Sequence, residues 1–167
     1  MSWETSMLLA VQRWTAGPRT LPVARLLSRA GEHAAAWIAA GLVGAVLDAR
    51  ARQHWVRALL AVLASHGSSV VLKRVVRRVR PAHASLSAHV AVPSRWSFPS
   101  SHAASTTTAA IVYGRLLGTP VTALVAAAMA WSRLALGVHY PSDVLSGVAL
   151  GTTVAAVAPV ARTGRGR

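Results

Sequence analysis

Between residues 34 and 161 the chain is five apolar stretches set apart by arginines and turns, a layout that few folds can accommodate. They run from Ala34 to Leu47, Trp55 to Leu72, His102 to Leu117, Val121 to Val138 and Val144 to Ala161. A helix that spans a bilayer needs roughly 20 mostly apolar residues. The fifth stretch, which holds no charged residue, comes closest to this. The others need flanking arginines that snorkel, or polar groups turned into the bundle. In lipid every backbone polar group must be satisfied internally, which leaves helices or closed barrels. Period-two alternation is absent, so the sequence predicts an all-α polytopic membrane bundle of about five spanning helices. Gly147 and Gly151, four residues apart among many alanines, predict close helix packing within the bundle.

Charge narrows the setting. The chain is 53% hydrophobic and 13% charged, with a formal net charge of +14. Its acids are Glu4, Glu32, Asp48 and Asp143. Such a balance fits an anionic membrane surface or a nucleic acid. The arginines bracket the apolar stretches, at Arg50, Arg52, Arg57 and Arg115 for example, as membrane anchors do. A nucleic-acid footprint would gather them on one polar face or tail beside a recognisable binding module. Membrane lipid is therefore the expected partner and nucleic acid is not. Without cysteine there is no disulfide or thiolate chemistry.

The chain reads as one domain over 1–167. Residues 3–14 and 21–30 form short amphipathic helices separated by Gly17-Pro18. Each is too short and too polar to span. They fit helices lying in the membrane interface, and equally helices packed on the bundle. The expected layout is an interfacial region at 1–31, a bundle at 32–161 and a basic tail at 162–167. The first thirty residues lack the compact apolar run of a signal peptide.

The polar residues left inside this apolar frame are unusual. Positive charge is written as seventeen arginines and one lysine, Lys73, which opens the pattern Lys73-x6-Arg80-Pro81. On a helix ended by Pro81, Lys73, Arg77 and Arg80 would share one face and could grip phosphate oxygens. Pro99-Ser100-Ser101-His102 precedes the third stretch. Ser100 is a natural N-cap, and a helix N-terminus presents free N–H groups to an anion. Arg133, His139 and Asp143 flank the junction of the fourth and fifth stretches, where Gly137 and Pro141 break the helix. A carboxylate within reach of a histidine can fix its tautomer and make it a better nucleophile. The connection from about 81 to 99, with Pro81, Pro93, Trp96 and two histidines, is a plausible lid.

Taken in order, these three pieces resemble the signature of the type 2 phosphatidic acid phosphatase (PAP2) superfamily, K-x6-R-P, P-S-G-H and S-R-x5-H-x3-D. One position departs: Ser101 stands where the family has glycine. The resemblance implies that Lys73, Arg80 and Arg133 bind the phosphate oxygens, with Ser100 and the backbone N–H of Ser101 adding hydrogen bonds. It implies that His139 attacks phosphorus to form a phosphohistidine, that Asp143 positions it, and that His102 protonates the leaving alcohol. No metal or cofactor is implied. Ser101 keeps the N–H but adds a Cβ near the phosphate and disfavours positive φ.

A membrane-embedded site of this kind implies a lipid phosphate substrate and a multi-pass protein of the cell membrane. The short Ala/Val/Arg-rich chain resembles compact actinobacterial members of the superfamily. That resemblance ranks a polyprenyl-linked substrate, such as decaprenylphosphoryl-5-phosphoribose, above phosphatidate, phosphatidylglycerol phosphate or a polyprenyl diphosphate. Cations split almost evenly between the two sides, so the positive-inside rule leaves the orientation of the site open. Two readings compete. Vanadium haloperoxidases share the constellation but are larger and soluble. A non-catalytic membrane scaffold with a degenerate site is supported only by Ser101.

Overall fold

The computed structural model describes residues 2–15 and 17–161; the predicted basic tail lies outside the described residues. Among the described residues the chain is helical, with one isolated bridge between Val79 and Trp96. Seven α-helices follow in order: α1 (Trp3–Thr15), α2 (Thr20–Gly31), α3 (Ala35–Leu47), α4 (Arg52–Val76), α5 (Ser101–Leu117), α6 (Val121–Ala135) and α7 (Pro141–Val157). A 3₁₀ turn (Glu32–Ala34) joins α2 to α3.

Helix α5 is the hub, in contact with α2, α3, α4, α6 and α7. Its composition explains this. Ala103, Ala104, Ser105, Thr106, Thr108 and Ala109 are all buried, and such small side chains let neighbours approach closely. Helix α7 comes nearest, through the predicted glycine pair. A Cβ on Gly147 would stand 2.5 Å from the Ser100 carbonyl oxygen, and one on Gly151 would stand closer still to that of Ala104. Thr108 Oγ1 uses the gap to donate to the Gly151 carbonyl at 3.1 Å. The core at the far end is larger-grained. Trp55, Ala58 and Val62 of α4 meet Val112, Tyr113 and Leu116 of α5, with Trp37 of α3 alongside. Trp37 Nε1 donates to Thr106 Oγ1, and Tyr113 Oη donates to the Trp37 carbonyl, so the buried aromatic polar atoms are paired.

The outside of the bundle is apolar. Val46, Leu47, Val71, Val75, Leu124 and Leu145 are each more than 60% exposed. A surface like this suits lipid and not water. Among the described residues two stretches are long and apolar enough to cross a membrane: the 25-residue α4, and the 28 residues of α2 and α3 taken through their kink. Helices α6 and α7 are apolar but shorter.

The kink redirects the chain. His33 (φ 50°) and Ala34 (φ 59°) are both left-handed, a conformation that costs a non-glycine residue roughly 1–2 kcal/mol. Below it α2 packs on α6, burying Ala24, Ser28 and Gly31; beyond it α3 packs on α4. The N-terminal helices thus rest on the bundle, and α1 touches α6 and α7.

Two helix ends differ from the sequence expectation. Helix α4 stops at Val76 and not at Pro81, because Arg77 adopts a left-handed C-cap (φ 52°). Helix α6 stops at Ala135, three residues early, and Gly137 (φ 70°) makes the turn. A Cβ there would stand 2.5 Å from the Ser87 carbonyl oxygen, so this position needs glycine on both counts.

Candidate active site

The C-terminal ends of α4 and α6 and the N-terminal ends of α5 and α7 meet at one end of the bundle. They enclose a cavity of about 400 Å³ whose lining includes Lys73, Arg80, Ser101, His102, Arg133 and His139. Six of the eight residues singled out by sequence are therefore on one wall. The other two lie just behind: Ser100 and Asp143 are fully buried and support the first six.

Lys73 sits on the last turn of α4, and its ammonium lies among three carbonyl oxygens, of Pro99 at 2.7 Å, Ser97 at 3.0 Å and Trp96 at 3.4 Å. A compact ammonium with three donors suits this nest; a planar guanidinium does not. Lys73 thus ties α4 to the segment that carries Ser100, Ser101 and His102. Arg80 reaches the cavity by another route than the predicted shared helix face. Beyond the Arg77 cap the backbone is extended and bridges Trp96, which swings Arg80 inward. Its Nε donates to the Ser94 carbonyl at 2.7 Å and its Nη1 to the Val138 carbonyl at 2.6 Å. Burial pulls the Arg80 guanidinium down to about 10, partly opposed by Asp143, so it remains charged at neutral pH. Arg77, predicted on the same face, is exposed and its Nε donates to the Arg74 carbonyl.

Arg133 is 1% exposed. Its Nε and Nη2 donate to Ser132 Oγ at 3.1 and 3.0 Å, and its Nη1 donates to Ser28 Oγ at 3.1 Å. His102 stands beside it, with Nε2 3.0 Å from the Ser28 carbonyl. A carbonyl can only accept, so Nε2 carries the ring proton in the neutral form. Gly31 makes room for this ring: a Cβ there would stand 2.7 Å from His102 Cδ2.

His139 is held from both sides. Its Nε2 is 3.3 Å from Arg80 Nη1, a donor, so Nε2 bears the lone pair. Its Nδ1 is 3.6 Å from Asp143 Oδ2, just beyond hydrogen-bond length, with no other partner among the described residues. Burial pushes the imidazole down to about 3, as do Arg80 and Lys73, while Asp143 opposes them. The ring is thus neutral at physiological pH, with its Nε2 lone pair turned to the Arg80 guanidinium. Asp143 Oδ2 also accepts from the Tyr140 N–H at 2.8 Å, so helix capping and support of His139 are done by one carboxylate.

Ser100 caps α5, accepting from the Ala103 N–H, and its own N–H donates to the Asp143 carbonyl at 2.9 Å. Ser101 opens α5 with φ outside the left-handed region, so its side chain imposes no backbone strain where the family has glycine. The loop expected as a lid roofs the cavity: Val90, Val92 and Trp96 line it, and Val90 and Val92 pack on Ala24, Leu136 and Val138. Gln12 of α1 fastens this loop, donating to the Ser87 carbonyl at 2.7 Å.

Three residues escaped the sequence reading. Arg78 Nη1 donates to Asp143 Oδ1 at 3.0 Å and to Ser142 Oγ at 2.6 Å, while its guanidinium lies 4.3 Å from the Tyr140 ring centroid. Glu4 of α1 closes the network, pairing with Arg78 Nη2 at 2.5 Å and accepting from Ser142 Oγ at 2.5 Å. Ser28 of α2 joins Arg133 to His102. One signal was available: with only four acids in the chain, an acid in an amphipathic helix near so many cations is a candidate partner.

Comparison with known proteins shows the family and the fold. The PAP2 superfamily model matches residues 54–167. A decaprenylphosphoryl-5-phosphoribose phosphatase of Mycobacterium tuberculosis is 44% identical over 165 residues, covering 98% of this chain and 93% of that protein. One from Mycolicibacterium smegmatis is 47% identical over 145 residues, 86% of this chain and 81% of that protein. The crystal structure of a transmembrane PAP2-type phosphatidylglycerolphosphate phosphatase from Bacillus subtilis superimposes with a TM-score of 0.73 at 21% identity, over 92% of this chain and 83% of that one.

Proposed function

The chain belongs to the PAP2 superfamily and is a phosphoric monoester hydrolase of the membrane, and from that premise we propose that it removes the terminal phosphate of decaprenylphosphoryl-5-phosphoribose through a phosphohistidine at His139. The reading rests on the convergence of Lys73, Arg80, Arg133, His102 and His139 on one cavity. The substrate follows the names of relatives 44–47% identical over most of the chain. The apolar outer face of the bundle and its long apolar helices support reading the chain as a multi-pass protein of the cell membrane.

In this mechanism Lys73, Arg80 and Arg133 neutralise the phosphate oxygens, and the α5 N-terminus offers the Ser101 N–H to another. The Nε2 lone pair of His139 attacks phosphorus in line with the ester oxygen. A P–N bond forms as the P–O bond to the sugar breaks, and His102, protonated when the phosphate dianion binds beside it, gives that proton to the departing oxygen. Asp143, itself held by Arg78, keeps His139 in place and stabilises the charge it acquires. Water then gives a proton to His102 and attacks phosphorus; the P–N bond breaks, phosphate leaves and His139 is regenerated.

Phosphate release from a panel of lipid phosphates tests this. Wild type is expected to prefer the polyprenyl-phosphoribose substrate, and His139→Ala to lose about 10⁴-fold or more in rate. Equal release by wild type and His139→Ala would refute the catalytic reading, and preference for phosphatidate would refute the substrate.

A further inference from the structure

The residues assigned to the phosphate line only part of the cavity. Its wall continues away from Lys73 to Glu32 and His33 at the α2–α3 kink and to His66 on α4. His66 lies two turns before Lys73 on the same helix, roughly 10 Å deeper along the axis. Polar and ionisable groups within an apolar span are costly and generally serve a function, and the mechanism uses none of these three.

Their state suits a neutral polar ligand. His66 Nδ1 is buried without a hydrogen-bond partner. A buried N–H with nothing to donate to costs more than a bare lone pair, so the ring proton belongs on Nε2, which the cavity can receive as a donor. Glu32 is exposed, lines the cavity and forms no salt bridge among the described residues, so its carboxylate is a free acceptor. The His33 ring lies 6.4 Å from that of His66, centroid to centroid. His33 and Ala34 hold consecutive left-handed conformations without being glycine, and backbone strain of this kind clusters at ligand-binding positions. The wall thus pairs an acceptor with imidazole donors beside the phosphate pocket. Vicinal hydroxyls, each both donor and acceptor, need that combination.

We propose that Glu32, His33 and His66 form a hydroxyl-binding subsite that holds a sugar-like polyol attached to the phosphate, and so select a sugar phosphate over a plain lipid phosphate. The proposal rests on the function proposed above and adds the residues that read the sugar.

The test compares two substrates in detergent: a polyprenyl-phosphoryl-5-phosphoribose, and dodecyl phosphate, which has no hydroxyl. Glu32→Ala, His66→Phe and His33→Gly are the variants; glycine tolerates the left-handed backbone, so the last removes the imidazole without adding strain. Each is expected to lower kcat/KM for the phosphoribose substrate about tenfold or more and to leave dodecyl phosphate within about twofold. Retained dodecyl phosphate turnover shows that a variant is folded. Parallel losses on both substrates, or no loss on either, overturn the subsite and leave the substrate assignment standing. If wild type cleaves dodecyl phosphate but not the phosphoribose, the substrate assignment falls and the subsite with it.

Discussion

Asp48, in the turn between α3 and α4, and Asp143, in the first turn of α7, each spend a carboxylate oxygen on a nearby backbone N–H. Asp48 Oδ1 accepts from Ala51 at 3.0 Å, and Asp143 Oδ2 accepts from Tyr140 at 2.8 Å. The second oxygen separates them. Among the described residues Asp48 Oδ2 receives only the Trp55 indole at 3.3 Å, on a partly exposed turn. Asp143 Oδ1 receives Arg78, its other oxygen faces His139, and it is fully buried. The same capping chemistry is structural at one end of the bundle. At the other it becomes part of a site because a cation and an imidazole are packed against it. A buried carboxylate is tolerated only when paired in this way.

The largest expected effect tests that contrast directly. Asp143→Asn should cut kcat roughly a thousandfold, since an amide carries no charge to balance the one His139 develops and can turn its NH2 to Nδ1, which favours the wrong tautomer. Asp48→Asn should leave kcat within about twofold and change stability by about 1 kcal/mol or less. Similar losses in the two mutants would erase the distinction.

Lys73→Arg follows. It keeps the charge but places a planar fork in the carbonyl nest of Trp96, Ser97 and Pro99, shifting the segment that carries Ser101 and His102. A displacement of about 1 Å there should cost on the order of 10²-fold in kcat. Full activity would mean that any cation serves.

Arg78 probes the link between the two halves of the Asp143 network. Arg78→Ala should lower kcat about tenfold with KM little changed, Arg78→Lys should recover part of it, and Glu4→Gln should cost less than either. A rise in KM alone would assign Arg78 to substrate binding and not to Asp143.

The pH dependence of stability is the next check. His139 is held down to about 3 in the fold, against an ordinary value of 6.5. Below 6.5 the unfolded chain binds a proton at this residue that the folded chain refuses, so stability is full above 6.5 and falls as pH drops toward 3. Replacing His139 by Asn should flatten that part of the curve in a detergent-solubilised melt. The smallest effect belongs to Ser101→Gly. The backbone is already helical there, so kcat/KM should change less than about threefold, with up to about 1 kcal/mol lost to added chain freedom. A gain of orders of magnitude would mean that the serine side chain obstructs the site.

The residues that line or back the cavity were legible because three short pieces, Lys73 with Arg80, Ser100 with His102, and Arg133 with His139 and Asp143, together resemble the PAP2 signature; each piece alone is a weak signal. The route by which Arg80 arrives was not legible. Periodicity gives Lys73, Arg77 and Arg80 one face, but a left-handed cap at Arg77 ends the helix, and such caps at non-glycine residues leave little trace in sequence. Glu4, Ser28 and Arg78 were hidden for another reason. Each acts across a large sequence separation, 138 residues for Glu4 and Ser142, and a single sequence carries no term for such distances.

By itself, then, the sequence determined the helical bundle, its apolar outer surface and the kit of cations, imidazoles and carboxylate, because hydropathy, helix-breaking residues and motif spacing are local properties of the chain. Only the tertiary structure decided that α2 lends Ser28 to Arg133 and His102, that α1 braces Asp143 through Glu4 and Arg78, and that the strained kink sets Glu32 and His33 opposite His66. Those outcomes depend on which helix packs on which, and packing is fixed by side-chain volume across the whole core.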